Sequence, residues 1–226
     1  MAALGRVLAE RGIANRSASV VLSNRFVRYA LVPWRDAVTN RKERVQLARH
    51  CFRNIYGDTA DGWEIRLSDG GFRRNAIASA VDNDFLAELR RVFAARRIEL
   101  ASVEPCFMSV CNRFRKEFES RDRACLAVVE RGRATLGVFD GNNWQVLAAR
   151  RVPDGKIDSL ATVLTQELQS AGMDAMPAKI HVVTIDAPQT DTTMPGGTLR
   201  TLRLKALLGF SPIEDAGFAM ALCGVA

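Results

Sequence analysis

Residues 124–152 read ACLAVVERGRATLGVFDGNNWQVLAARRV, three short apolar runs separated by Arg131-Gly132 and by Asp140-Gly141-Asn142-Asn143. A short polar break carrying glycine, set between strand-forming runs, reverses the chain on itself. The stretch therefore predicts a three-strand antiparallel meander. Its first turn reads Glu130-Arg131-Gly132-Arg133-Ala134-Thr135.

Downstream, KIDSLATVLTQELQS predicts a helix over 157–170, followed by a buried strand AKIHVVTI, a polar loop DAPQTDTTMPGG, a strand TLRTLRL and a terminal helix DAGFAMALCGV. Upstream, RKEFESRDR places seven charges in nine residues, a stretch that cannot cross a core and so divides 1–118 from 124–226. Before it, IELASVEP reads as a strand stopped by Pro105 and CFMSVCNRF as a mostly apolar helix. Asp82 caps a helix in which Phe85, Leu86, Leu89, Val92 and Phe93 recur at helical spacing, ending near Arg97. WEIRL and NAIASAV flank the reversal Ser68-Asp69-Gly70-Gly71 as a hairpin. Thr39 or Asn40 caps a helix with Val45, Leu47, Ala48, Cys51, Phe52 and Ile55 on one side and Gly57 as its stop. SASVVLS and RFVRYALVPW are two strands, and LGRVLAERGI is a short opening helix ending at Gly12. Each half closes as strand then helix, which suggests two α/β halves of related design with mixed sheets flanked by helices.

At 226 residues and 48% hydrophobic content the chain can bury a sizeable core. No run approaches the roughly 18 apolar residues of a membrane span, and the opening residues lack the apolar centre of a signal peptide, so a cytoplasmic location without a transmembrane segment of its own is expected. Cys51, Cys106, Cys111, Cys125 and Cys223 form no C-x-x-C pair, and with only His50 and His181 as nitrogen ligands no metal site is expected. His50 and Cys51 are helix neighbours whose side chains diverge, so they are not read as a base and its nucleophile. Residues 1–123 carry 23 Lys+Arg against 15 Asp+Glu, a balance of +8, whereas 124–226 carry 9 against 10. The basic residues are mostly arginines spread along helices with acidic partners, without the interleaved aromatics of single-strand binders. That pattern favours a solvated face or a docking face for an acidic protein or anionic lipid over a specific nucleic-acid surface.

The order SVVLSNRFVRYALVPW, helix, WEIRL, NAIASAV, then FLAELRRVFAARRIEL resembles the actin-like superfamily, with its ribonuclease H-like sheets. Within it, the resemblance is to the PilM-like and GspL-like proteins of type IV pilus and type II secretion inner-membrane platforms. SVEPCFMSVCNRF and GFAMALCGV extend the likeness over most of 18–226. The resemblance implies two lobes, 1–118 and 124–226, with an inserted α+β subdomain at about 18–81. The family also begins with a β-meander bearing a first phosphate hairpin, and its absence ahead of LGRVLAERG is a further expectation.

Set on the superfamily pattern Asp-x-Gly-x-x-Thr, residues 130–135 keep Gly132 and Thr135 but put Glu130 for Asp and Arg133 for a small residue. Arg133 brings bulk to where N–H groups must approach an anion, and Glu130 moves its carboxylate by a methylene. The strand KIHVVTI is followed by Asp186-Ala187-Pro188 where the superfamily has a glycine pair, while Gly196-Gly197 read as a turn. The resemblance thus implies a degenerate nucleotide site at Glu130, Gly132, Arg133, Thr135 and Asp186, with no cofactor unless ATP and Mg²⁺ bind after all. The leading expectation is a non-catalytic scaffold that docks a membrane-anchored platform protein, with self-association as a second kind of contact. An active ATPase or sugar-kinase relative and a basic nucleic-acid module are the alternatives. Arg28, Tyr29 and Trp34 are the candidate partner-binding residues. For Tyr29, Trp34 and Trp63, packing of the small subdomain's helix on its sheet is the competing reading.

Overall fold

The computed structural model describes residues 1–38, 40–118, 123–130, 132–141, 143–152, 157–184, 192–194, 197–203, 209–211 and 221. The predicted meander is present as β6 (Ala124–Glu130), β7 (Arg133–Asp140) and β8 (Asn143–Arg151), paired antiparallel in sequence order. It continues through α6 (Ile157–Ser170) into β9 (Lys179–Thr184), which joins β6 in parallel, and β11 (Gly197–Thr201), which joins β9 in parallel. A three-residue strand, β10 (Thr192–Met194), adds to β11 antiparallel inside what the sequence reads as a polar loop. Thr-Thr-Met is short enough to pass for loop until β11 offers its edge. The resulting six-stranded order is β10-β11-β9-β6-β7-β8.

The central strand shows why ACLAVV is an unbroken apolar run: Ala124 through Val129 are all buried, because both faces of the sheet are covered. On one face, Leu160, Leu164 and Leu168 of α6 pack on Cys125, Ala127, Leu136, Val138 and Val146. On the other, α4 (Cys106–Arg113), which the one-turn α5 (Arg115–Phe118) follows, and residues of the first half pack on Leu126, Val128 and Phe139. Gly137 lies where two rings converge on that face. A Cβ there would meet the Trp144 ring and come within 2.7 Å of Phe107 Cζ, so only glycine lets α4 lie this close.

The first half begins with α1 (Ala2–Glu10) and β1 (Ser17–Leu22), and β1 pairs in parallel with β5 (Glu99–Pro105) as a two-stranded sheet. Between them, β2 (Arg28–Val32), α2 (Arg41–Tyr56), a 3₁₀ segment Gly57–Gly62, β3 (Trp63–Ser68) and β4 (Ala76–Asp82) form a small subdomain with sheet order β2-β4-β3. The segment SASVVLS, expected to open this subdomain, lies outside its sheet. The serines leave only one moderately apolar side on β1, which suits a partner strand under α3 (Asn83–Ala94) more than the small subdomain's own core.

Local chemistry sets the element ends. Asn40 Oδ1 accepts the Glu43 N–H at 2.9 Å and Asp82 Oδ1 the Phe85 N–H at 2.9 Å, so α2 and α3 each start on a side-chain cap. Helix α3 ends at Ala94, just after the last of its apolar positions, and turn hydrogen bonds carry the chain on to Arg97, whose φ is 54°. The small subdomain has its own core, in which Phe52 of α2 packs edge-on against Trp63 at 5.9 Å, over Ala48, Ala78 and Ala80. It is tied to the meander by Asn75, whose side chain donates to the Trp144 carbonyl at 2.7 Å and whose N–H donates to Asn143 Oδ1 at 2.9 Å. Of the helix expected at 215–225, only Ala221 is among the described residues.

Candidate functional site

The β6–β7 hairpin closes by pairing Glu130 with Arg133 at the turn that holds Gly132. Gly132 has a φ of 74°, a left-handed conformation that favours glycine, and its carbonyl accepts the Val152 N–H at 3.1 Å. Three of the predicted residues, Glu130, Gly132 and Arg133, thus sit together at the hairpin tip. Thr135 does not join them. It lies inside the sheet between Val128 and Ala149, fully buried, and its hydroxyl finds no hydrogen-bond partner among the described residues. Asp186 lies outside the described residues.

The tip is met by a turn of the first half. Glu130 Oε2 accepts the Asn24 N–H at 3.0 Å, and the Arg25 guanidinium lies 3.9 Å from where a Cβ on Gly132 would sit. Asn24 is fully buried, and its Oδ1 accepts both the Tyr29 hydroxyl at 2.6 Å and the Phe107 N–H at 3.0 Å. The Asn24 side-chain oxygen therefore links the turn after β1, the strand β2 and the first turn of α4, while the Asn24 backbone N–H holds the hairpin carboxylate. Burial pushes the Tyr29 phenol well above its usual range, and nearby Cys106 and Glu130 add to the effect, so Tyr29 stays a neutral donor to Asn24.

Tyr29 is corrected by this geometry. Expected to face a partner, it is 7% exposed, hydrogen-bonded to Asn24 and edge-on to Phe107 at 5.7 Å. Alternation along β2 turns Tyr29 toward the core while Arg28 turns outward, its Nη1 donating to the Arg25 carbonyl at 3.1 Å. Trp63 packs inside the small subdomain, as the competing reading holds. Trp34 is half-buried at the end of β2, with its Nε1 donating to Asp36 at 2.9 Å. Its ring is flanked by Phe72 at 5.3 Å and by the Arg44 guanidinium at 4.9 Å.

Phe72, 75% exposed with the Arg73 guanidinium over its ring, is a surface residue that the sequence reading passed over. The signal was available in Gly-Gly-Phe-Arg-Arg, an aromatic placed in a turn where no core claims it. Asn24 was also missed, because a single asparagine between Ser and Arg reads as ordinary turn chemistry. The thiols of half-buried Cys111 and buried Cys125 are pushed up to about 12, chiefly by desolvation, so both are protonated at neutral pH.

The chain runs through the meander β6-β7-β8 and α6 to β9, which lies parallel beside β6, with β11 parallel beside β9, and its fold is actin-like. The sequence matches no protein-family model and no curated protein. Among solved structures the chain is similar to a Bacteroides thetaiotaomicron protein of actin-like ATPase fold and unknown function, at a TM-score of 0.54 and 7% identity. It is also similar to a chain of the PilM–PilN type IV pilus biogenesis complex, at 0.57 and 11%. The likeness covers 80% of this chain in each case, and the chain spans only 66% of the length of either. A third structure is the cytoplasmic domain of EpsL, an inner-membrane component of the Vibrio cholerae type II secretion system, at 0.57 and 10%, covering 98% of this chain and 78% of that one. No helix among the described residues is long and apolar enough to cross a membrane.

Proposed function

We propose that the chain is a non-catalytic actin-like scaffold that docks partner proteins at a type IV pilus or type II secretion inner-membrane platform. Its place is then at the cytoplasmic side of that membrane, held through a membrane-anchored partner. The likeness to the PilM and EpsL structures supports the system. The observation that carries the non-catalytic part is the hairpin tip. Its carboxylate is already engaged by the Asn24 N–H at 3.0 Å, and the Arg25 side chain stands beside the glycine that an incoming phosphate must approach. Isothermal titration with Mg-ATP at high-micromolar concentration is expected to give no heat. A low-micromolar constant would overturn this part and restore the ATPase reading.

Docking is assigned to half-buried Trp34 and exposed Phe72, with Arg44 and Arg73 over their rings. Large aromatics framed by arginines suit an extended or acidic peptide segment of a partner, anchored by ring burial and oriented by charge. Arg28, at the other end of β2, lies apart from this pair and contributes only to the basic surround. Capture from the source cells, scored for platform proteins by mass spectrometry, is expected to fall at least several-fold for Trp34→Ala combined with Phe72→Ala. Undiminished capture by that variant removes the surface from the proposal.

A further inference from the structure

A cavity of about 200 Å³ opens where the β3–β4 loop, the end of α4 with the start of α5, and the β7–β8 turn meet. Among the described residues, none from α1, β1 or β5 lines it. Part of its wall is aromatic, with Phe139 and Trp144 edge-on at 5.1 Å. Part is polar: Arg74 enters from the loop before β4, Asn112 from α4 and Arg115 from α5.

Charge decides what such a cavity takes. Arg74 is exposed and forms no ion pair among the described residues. Asp69 is the sole carboxylate among the described lining residues, and it is engaged by the Arg44 guanidinium and by the Gly71 N–H at 3.1 Å. The Cys111 thiol, protonated at neutral pH, adds no charge. Two guanidinium groups against one carboxylate leave a single positive charge, the complement of a monoanion. A phosphate ester, at about −2, overshoots that balance. A carboxylate suits it, because a planar guanidinium holds one through two parallel N–H···O bonds. The volume also lies below the roughly 300 Å³ at which ordinary small-molecule pockets begin, so the ligand is smaller than a nucleotide.

We propose that this cavity binds a small organic monoanion, a carboxylate carried on a planar apolar body. Its carboxylate bonds to Arg74 and Arg115, and its body lies against Phe139 and Trp144. A ligand held so bridges the small subdomain to the meander, beside the tie that Asn75 already makes. Arg74 also lines the small pocket next to Trp34, but Arg115, Phe139 and Trp144 do not, so failure of this site leaves the docking surface of the proposed function untouched.

The test is titration of the full chain with sodium benzoate, followed by NMR. The amide signals of Gly70, Asn112 and Gly141 and the Trp144 indole N–H are expected to move together and saturate, with a dissociation constant of about 1 mM or lower. Acetate, which lacks the ring, and benzamide, which lacks the charge, should each bind about tenfold more weakly or worse. Arg74→Ala with Arg115→Ala should lose about tenfold in affinity. Arg74→Lys with Arg115→Lys, which keeps the charge and loses the planar fork, should fall between that variant and the native chain. Trp34→Ala with Phe72→Ala should bind benzoate unchanged. Absence of saturation, equal binding of benzamide, or full binding by the alanine pair overturns the proposal. Inorganic phosphate binding more tightly than benzoate, or shifts centred on the β6–β7 hairpin, overturns it as well.

Discussion

The six-stranded sheet of the second half and the two-stranded β1–β5 sheet of the first share a helix, strand, crossover and strand plan, yet bury very different amounts of surface. Residues Ala124–Val129 of β6 are buried throughout, whereas β1 runs exposed, intermediate, exposed, intermediate, intermediate, buried. A pair of strands is marginal by itself. The β1–β5 pair holds because Leu22, Val20 and Val103 pack into a core whose other members, Phe107, Leu126 and Val128, belong to α4 and to the larger sheet. The lesson is that the β1–β5 sheet depends on the second half for much of its interior, while the larger sheet has a further core of its own under α6, as the small subdomain has under α2.

That contrast sets the expected mutational effects. Leu164→Ala, which empties a site only 1% exposed between α6 and the meander, should cost about 3 kcal/mol in urea unfolding. The matching change on α1, Val7→Ala, should stay within about 0.5 kcal/mol. Equal losses at the two positions mean that α1 is covered in solution and would break the comparison.

Asn24→Ala should cost about 2 kcal/mol, because it strands the buried Tyr29 hydroxyl and Phe107 N–H where both halves meet. Tyr29→Phe removes one donor and leaves Asn24 bonded to Phe107, so about 1 kcal/mol is expected. If the two changes cost the same, the amide's link to α4 adds nothing and the halves are joined by apolar packing alone.

The smallest effect concerns pH and belongs to the better-covered sheet. Burial, then the neighbouring Arg200, hold the His181 imidazole below its usual range. As pH falls past the unfolded value of about 6.5, the unfolded chain takes up the proton first, so stability is full above that pH and declines below it. The urea midpoint should therefore drop more between about pH 7 and about pH 5 in the native chain than in His181→Gln. Identical profiles for the two proteins would show that His181 is solvated and that this part of the sheet is open.

The sequence made some of this legible for definite reasons. ACLAVV, with a glycine-bearing turn on its far side, admits little besides a central strand, and Asn40, Asp82 and Gly57 mark helix ends by chemistry that acts within a few residues. Pairing at a distance was less readable. SASVVLS could lie beside RFVRYALV or beside IELASVEP, and only the packing of α3 and α4 selects the second. At the site, spacing located Glu130, Gly132 and Arg133 together at the hairpin tip. It did not reveal that the carboxylate's partner is Asn24, because a contact spanning 106 residues leaves no local trace. Tyr29 and Trp34 were grouped by chemical type, and strand alternation together with the end of β2 sent them to different environments.

Gly137 carries a consequence for finding kin. With identities of 7–11% to structures of the same fold, overall sequence similarity is a poor guide to relatives. The vacancy at Gly137 is shared by one ring thirty positions before it, Phe107, and one seven positions after it, Trp144. A homologue with a side chain at this point in the meander must have surrendered at least one of those rings or moved its helix outward. The three positions should therefore vary as a set, giving a compact fingerprint by which distant members can be recognised from sequence.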